Sequence, residues 1–459
     1  MGEAMIHAFQ QDDENIVLDI ASGAVHSLDA LAYAICGFID PKMDAKCPDE
    51  VISALSGDFS REEVEEAYGE LYSLYADGLL FSEDEPYPEA LIKGERAPIK
   101  ALCLHVSHDC NLRCEYCFAQ TGDFGTKRSL MAPEVAEKAI DFVIESSKNR
   151  RNIEVDFFGG EPLMAWDTVV HTVEYANKKG AESGKVFRFT VTTNGVLLDD
   201  EKIKYINEHM SNAVLSVDGR KSVNDNMRKT VSGAGSFDII MPRFKKLVEA
   251  RPLDRDYYMR GTYTSKNLDF AEDVLELYRA GYDQVSVEPV SAPQGCGFEL
   301  KAGHLPRIKE EYRKLAREML EIEGKGGSLN FFHFNVDLEQ GPCVIKRLRG
   351  CGAGCEYVAV TPEGDIYPCH QFVGEKDFYM GNIMDDTFDK GKAGAFSGVS
   401  VYSRPQCREC WARYYCSGGC SAANYFSNKD INISYEIGCE LEKMRLECAL
   451  FLAVKRGGE

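Results

Sequence analysis

The sequence predicts an α/β fold, and three observations lead there. Between residues 101 and 322, short runs rich in Val, Ile, Phe and Tyr alternate six times with longer segments of helical periodicity. Such alternation builds a parallel sheet, because a parallel neighbour is reached only through a crossover. Glycine-containing turns follow several of the runs, at GGEP (159–162), TTNG (192–195) and SVDG (216–219). Parallel α/β sheets collect their chemistry at the carboxyl ends of the strands, so these turns mark the candidate site. The third observation is that most of the 17 cysteines fall in two runs outside the repeating pattern, one beside the first strand and one near the C-terminus.

Ahead of the repeat, MIHAFQ, NIVLDIA and AVHSL read as three short strands, followed by helical periodicity over 29–39, 49–55 and 61–80. Ser60 and Glu63 have the spacing of a capping box for the last helix. Three strands and three helices suggest a winged helix-turn-helix module over residues 1–82. Its charge decides its partner: residues 1–95 carry 22 Asp and Glu against 4 Lys and Arg, out of a chain net charge of −22. That balance repels phosphates, so a peptide is expected and nucleic acid is not.

Residues 83–100, EDEPYPEALIKGERAPIK, lack periodicity and read as a linker. The strands expected next are ALCLHVS, NIEVDFF, FRFTVTTNG, AVLSVDG, YYMRGTYT and QVSVEPV, with helices near 166–183, 199–210, 235–250, 268–280 and 305–322. The start of the chain has neither a basic segment nor an apolar run, and no uncharged apolar stretch approaches the ~20 residues of a membrane span. A cytoplasmic location with no membrane partner is therefore expected. In that setting 17 cysteines point to metal rather than to disulfides.

The densest signal is CNLRCEYC, with Cys110, Cys114 and Cys117 at C-x3-C-x2-C spacing. A cubane iron-sulfur cluster takes one thiolate per iron, so three cysteines leave one iron open. The competing reading is a zinc knuckle completed by His105 or His108. With GGEP one strand–helix unit later, the loop resembles that of the radical S-adenosylmethionine superfamily. The resemblance implies a partial (β/α)6 barrel over 101–330. It also implies a four-iron, four-sulfur (4Fe-4S) cluster on Cys110, Cys114 and Cys117, where S-adenosylmethionine is cleaved to a 5′-deoxyadenosyl radical. By the same resemblance Gly159, Gly160, Glu161 and Pro162 receive the cofactor's ammonium group, Ser216 and Asp218 lie near its ribose and methionine, and Arg228 pairs with its carboxylate. Thr193 and Asn194 are further candidates for the pocket.

Towards the C-terminus the pattern is Cys351-x12-Gly364-x4-Cys369, then Cys407-x2-Cys410-x5-Cys416-x3-Cys420, then Cys439. A zinc ribbon would use only four of these cysteines. The series resembles the seven-cysteine SPASM extension, here residues 331–459, which implies two auxiliary 4Fe-4S clusters and three clusters in all. Carried over, Cys407, Cys410, Cys416 and Cys439 hold one auxiliary cluster, and Cys351, Cys369 and Cys420 the other. The fourth position of the latter is left open between Cys343, Cys355 and a substrate thiolate. His333 and His370 are read as structural.

Together these features resemble radical S-adenosylmethionine maturases of ribosomally made peptides, whose leader-recognition element the N-terminal module matches in pattern. The likeness runs most closely to the thioether-forming maturases of precursor peptides with six cysteines in forty-five residues (SCIFF), which belong with the sactipeptide and ranthipeptide enzymes. It implies a Cys-rich precursor bound through its leader, thioether crosslinks from cysteine sulfur to carbon, and an electron donor such as ferredoxin or flavodoxin. Two alternatives remain: an anaerobic sulfatase maturase forming formylglycine, and an iron-sulfur redox sensor that binds DNA.

Overall fold

The structure, a computed structural model, describes residues 5–39, 41–84, 87, 98–338 and 344–457. Most of the expected linker, and Cys343, lie outside the described residues.

The six expected strands all form: β4 (Ala101–Ser107), β6 (Asn152–Gly159), β7 (Val186–Thr193), β8 (Asn212–Ser216), β10 (Asp256–Tyr263) and β11 (Gln284–Pro289). Each pairs in parallel with its predecessor in this series. Three strands that the sequence reading missed extend the sheet to nine. Asn330–Phe331 (β12) pairs with β11, Tyr357–Val360 (β13) pairs in parallel with β4, and Ile366–Tyr367 (β14) closes the edge antiparallel to β13. One sheet thus runs across the expected boundary between residues 330 and 331. A two-stranded ribbon, β5 (Leu112–Cys114) with β9 (Arg228–Thr230), sits apart from it.

Period-2 alternation sorts the two faces of the sheet. Val155, Phe157, Val191, Leu215, Val285 and Val287 are wholly buried on the face covered by helices such as Pro133–Ser146 and Trp166–Ser183. Each such side chain is worth about 1.5–3 kcal/mol of burial. The opposite face carries Cys103, Asp156, Thr190, Val214, Tyr258 and Ser286, all lining one cavity with Tyr357 and Phe332 from the two ends of the sheet. A sheet whose two ends border the same cavity is curled around it, as the partial barrel requires.

The N-terminal region forms its own three-stranded antiparallel sheet, β1 (Ile6–Gln11), β2 (Glu14–Asp19) and β3 (Val25–Leu28), under helices Ala30–Cys36, Asp49–Leu55 and Arg61–Ala76. Its separate core includes Val17, Ile35, Val64, Tyr68 and Leu71. The Ser60–Glu63 capping box is present. The third helix stops four residues before the expected Leu80, because Gly78 turns left-handed (φ 71°) and returns Leu80 to that core.

Part of this module's acidic excess is spent on docking. Asp13 and Glu14 pair with Lys455 of the last helix, Glu436–Lys455, at 2.8 and 2.7 Å, and Asp12 pairs with Arg317 at 2.9 Å. His7 of β1 lies flat on Trp411, with ring centroids 3.7 Å apart.

Candidate active site

Cys110, Cys114 and Cys117 open onto one cavity at the carboxyl ends of the strands, together with Gly159, Gly160, Glu161, Asn194, Ser216 and Arg228. Local contacts set the loop. The Cys110 N–H donates to Asp109 Oδ1 at 2.8 Å, and Arg113 Nη1 reaches the carbonyls of Cys110 and Leu112 at 2.6 Å each. Ribbon pairing then puts Cys114 directly opposite Arg228.

The glycines leave no room for a side chain. A Cβ on Gly159 would lie 2.1 Å from the Ser107 carbonyl oxygen, and one on Gly160 2.3 Å from that of Asp109. The sequence reading did not single out Gly122, yet a Cβ there would lie 2.5 Å from Cys110 Cβ. Burial pushes the Cys110 and Cys114 thiols up to about 12 and raises Cys117 as well. Buried thiols of this kind ionise when a cation takes the place of the proton, which fits a metal cluster.

Arg228 is 9 % exposed, and its Nε donates to Asp218 Oδ1 at 2.9 Å. Asp218 also accepts from Tyr116 Oη at 2.8 Å and from the Thr262 N–H at 3.0 Å. Asp218 therefore stands behind the cavity and holds Arg228 and Tyr116 in place. Thr193 and Pro162 also sit outside the lining. Thr193 Oγ1 donates to Glu161 at 2.7 Å, and the Asn194 and Leu163 N–H groups donate to the same carboxyl at 2.8 and 3.1 Å. Glu161 is thereby a clip between two strand ends. Burial outweighs those hydrogen bonds and raises its carboxyl to about 7.

The two histidines of the zinc alternative are engaged with each other and with Thr126. His105 Nδ1 and His108 Nε2 are 3.1 Å apart, and His108 Nδ1 meets Thr126 Oγ1 at 3.0 Å. Burial depresses the protonation of both rings, that of His108 to about 4. Among the described residues no three His, Cys, Asp or Glu side chains converge to hold a single metal ion. A cubane spreads its thiolates over separate irons and does not require that convergence.

The C-terminal cysteines fall into two electrostatic neighbourhoods. Cys369 feels Cys420 and Cys351, whereas Cys416 feels Cys439, Cys407 and Cys410. Cys420 also lies near enough to Cys407, Cys416 and Cys439 for all four to act on Arg404. Cys355 packs against the apolar cluster of Cys369, Phe372 and Phe396 and also borders a separate cavity with Ile99, Phe142 and Ile383. Cys416, Cys420 and Cys439 border a cavity that shares Glu288, Pro289, Val290, Ser291 and Gln371 with the cavity of Cys110.

Polar residues of the cavity that the sequence reading passed over include Arg260, Glu288 and Gln371. The signal was available for Glu288, since VSVEP places Ser286 and Glu288 on the face opposite the buried Val285 and Val287. His370, expected to be structural, lines the cavity while packing on Phe158 and Phe118.

Comparison with known proteins agrees with this geometry. Residues 104–287 match the Radical SAM superfamily, and residues 351–411 match the SPASM iron-sulfur cluster-binding domain. The chain thus joins a radical SAM domain to a SPASM domain. A cysteine-type anaerobic sulfatase-maturating enzyme of Clostridium perfringens is 24 % identical over 77 % of this chain and 96 % of its own length. Mycofactocin maturase MftC of Mycolicibacterium smegmatis is 26 % identical over 75 % of this chain and 84 % of its own. Among solved structures, AdoMet-bound anSMEcpe superposes with a TM-score of 0.66 at 22 % identity, over 79 % of this chain and 100 % of that one. Streptococcus suis SuiB bound to S-adenosylmethionine superposes at 0.54 and 17 % identity, over 96 % of this chain and 100 % of that one. SuiB has also been solved with its precursor peptide SuiA.

Proposed function

We propose that this chain, a radical SAM domain joined to a SPASM domain, is a peptide maturase that installs thioether crosslinks in a Cys-rich ribosomally made precursor. The observation that carries the reading is the continuity of the two cavities: a peptide segment lying along Pro289–Ser291 would reach both Cys420 and the Cys110 loop. In this reading residues 1–82 bind the leader, 83–100 link, 101–330 form the barrel and 331–459 carry the auxiliary clusters. When bound, a cluster on Cys110, Cys114 and Cys117 together with S-adenosylmethionine supplies a 5′-deoxyadenosyl radical able to take a hydrogen atom from carbon. The chain's own residues orient and enclose. Asp218 aims Arg228, the Gly159–Gly160 backbone leaves space for the cofactor, and the curled sheet shields the reacting carbon from water. The substrate brings its own thiol, so no nucleophile is assigned to the protein.

Sulfatase-type maturation is the second reading, supported by the relative from Clostridium perfringens. That similarity spans 77 % of this chain, whereas the SuiB fold matches 96 % of it. The additional span favours a peptide maturase with a recognition module. Mass spectrometry of a Cys-rich peptide encoded beside the gene separates the two. Thioether formation removes two hydrogens per crosslink and leaves the cysteine resistant to alkylation. A product that remains fully alkylatable overturns the crosslinking reading.

A further inference from the structure

Among the described residues lining the three inner cavities, Glu288 alone borders all three: the cavity of Cys110, the barrel interior, and the cavity reaching Cys420. It stands at the carboxyl end of β11, in register with Thr262 of β10. Arg260, also of β10, grips it with Nε at 3.2 Å and Nη2 at 2.8 Å.

This ion pair differs from the one formed by Arg228, which lines the same cavity. There the side chains of Arg228 and Asp218 are only 11 % and 0 % exposed, as expected of a pair that braces the fold. Arg260 and Glu288 keep 39 % and 36 % of their side chains open, although they lie within the curl of the sheet. The surface they leave open faces the cavities they line, which is how a pair placed to meet a ligand is left.

The charge of Glu288 is fixed. Burial opposes it, yet Arg260, with Arg445 further off, outweighs burial and holds the carboxyl at about 2. The neighbouring His333 imidazole stays neutral, pushed down to about 3 chiefly by burial. A carboxylate held this acidic is a poor base for a substrate thiol and a good hydrogen-bond acceptor. Two carboxylate oxygens offer about four lone-pair sites, so Arg260 leaves acceptor capacity over.

We propose that Glu288, held by Arg260, is a positioning residue that accepts a backbone N–H of the substrate peptide where it passes from the Cys420 cavity to the Cys110 cavity. The inference rests on the peptide-maturase reading. Its consequence is specificity: the hydrogen bond fixes which carbon of the passing segment faces the Cys110 cavity.

The test uses the full-length, cluster-loaded chain and a synthetic peptide that carries a leader segment and a Cys-rich core. Glu288→Gln removes the charge and keeps the shape. Arg260→Met with Glu288→Leu removes both charges, which avoids an unpaired buried ion. Iron content, the peptide KM, and crosslinks formed per S-adenosylmethionine cleaved are measured. With iron at wild-type levels, crosslinks per cleavage are expected to fall at least tenfold, the KM to rise, and crosslinks to appear at new positions. A ratio within twofold of wild type overturns the inference. If Glu288→Gln loses iron, the double variant decides by the same criterion. Wild-type protein that forms no crosslink overturns the maturase reading itself, and the inference with it.

Discussion

The cysteine loop at residues 110–117 and the cysteine series at residues 351–439 hold thiols in opposite ways. The first spans eight residues and is braced by the barrel: strand β4 leads into it, ribbon pairing fixes Cys114 against Arg228, and Gly122 packs under Cys110. The second is strung over short helices, 405–408, 413–416 and 421–428, and the long helix Glu436–Lys455. Ser417, Gly418 and Gly419 adopt positive φ between Cys416 and Cys420. The positive charges differ as well. Arg228 shares its charge with the buried Asp218, whereas Arg404, 1 % exposed, has no carboxylate at ion-pair distance among the described residues. It donates instead to the Ile431 carbonyl at 3.0 Å, to Ser421 Oγ at 3.3 Å and to the Gly418 carbonyl. Burial pulls Arg404 towards losing its proton, and Cys407, Cys416, Cys420 and Cys439 pull it back. One loop is thus shaped before it binds anything, while the other is built around a cation that needs anionic thiolates to balance it.

The largest expected effect separates the two regions by function. Replacing Cys110, Cys114 and Cys117 together by Ala should abolish S-adenosylmethionine cleavage, while the iron held by the C-terminal cysteines is retained. Cleavage assayed beside iron quantification checks this. Survival of cleavage would remove the Cys110 loop from the site, and loss of all iron would show that the regions do not load independently.

A smaller effect is expected at Arg404. Arg404→Gln keeps donors for the carbonyls but removes the charge. A charge within several ångströms of a thiolate is worth on the order of a few kcal/mol at an effective dielectric of about 20. Iron on the C-terminal side should therefore be lost to a chelator about tenfold faster or more, with the Cys110 loop unaffected. The cluster-free chain should lose only about 1–2 kcal/mol by denaturant unfolding, the cost of weakened hydrogen bonds. Equal iron loss from both regions would show that Arg404 acts through general stability.

The same contrast explains what the sequence disclosed. Six strands, their order and the cysteine loop were legible because each is local: a period-2 run, a crossover helix, three thiols in eight residues. The division of the C-terminal cysteines into two sets came from resemblance alone, because the residues concerned are spread over nearly ninety positions and no local period joins them. The pairing of Tyr357–Val360 with β4 was not legible, since it joins strands more than 240 residues apart with no crossover pattern between them. Asp218 and Thr193 look like pocket residues in sequence because they follow strands. Their side chains are instead consumed by Arg228 and Glu161, and only three-dimensional packing decides that.

The smallest expected effect lies where the N-terminal module touches the less braced region. His7 stacks on Trp411, one residue from Cys410, and its Nε2 lies 3.3 Å from Glu447, which also pairs with Lys309 at 2.8 Å. Aromatic stacking of this kind contributes about 0.5–1.5 kcal/mol. His7→Ala should accordingly lower stability by about 1 kcal/mol and leave the Cys110 loop untouched. The chain has two tryptophans, so in a Trp166→Phe background the fluorescence reports Trp411 alone. Removing His7 should expose that ring and shift its emission to the red. If instead the emission is unchanged, His7 does not rest on Trp411 in solution, and the module meets the cysteine-bearing region through its contacts with the helix Glu436–Lys455 alone, such as those of Asp13 and Glu14 with Lys455.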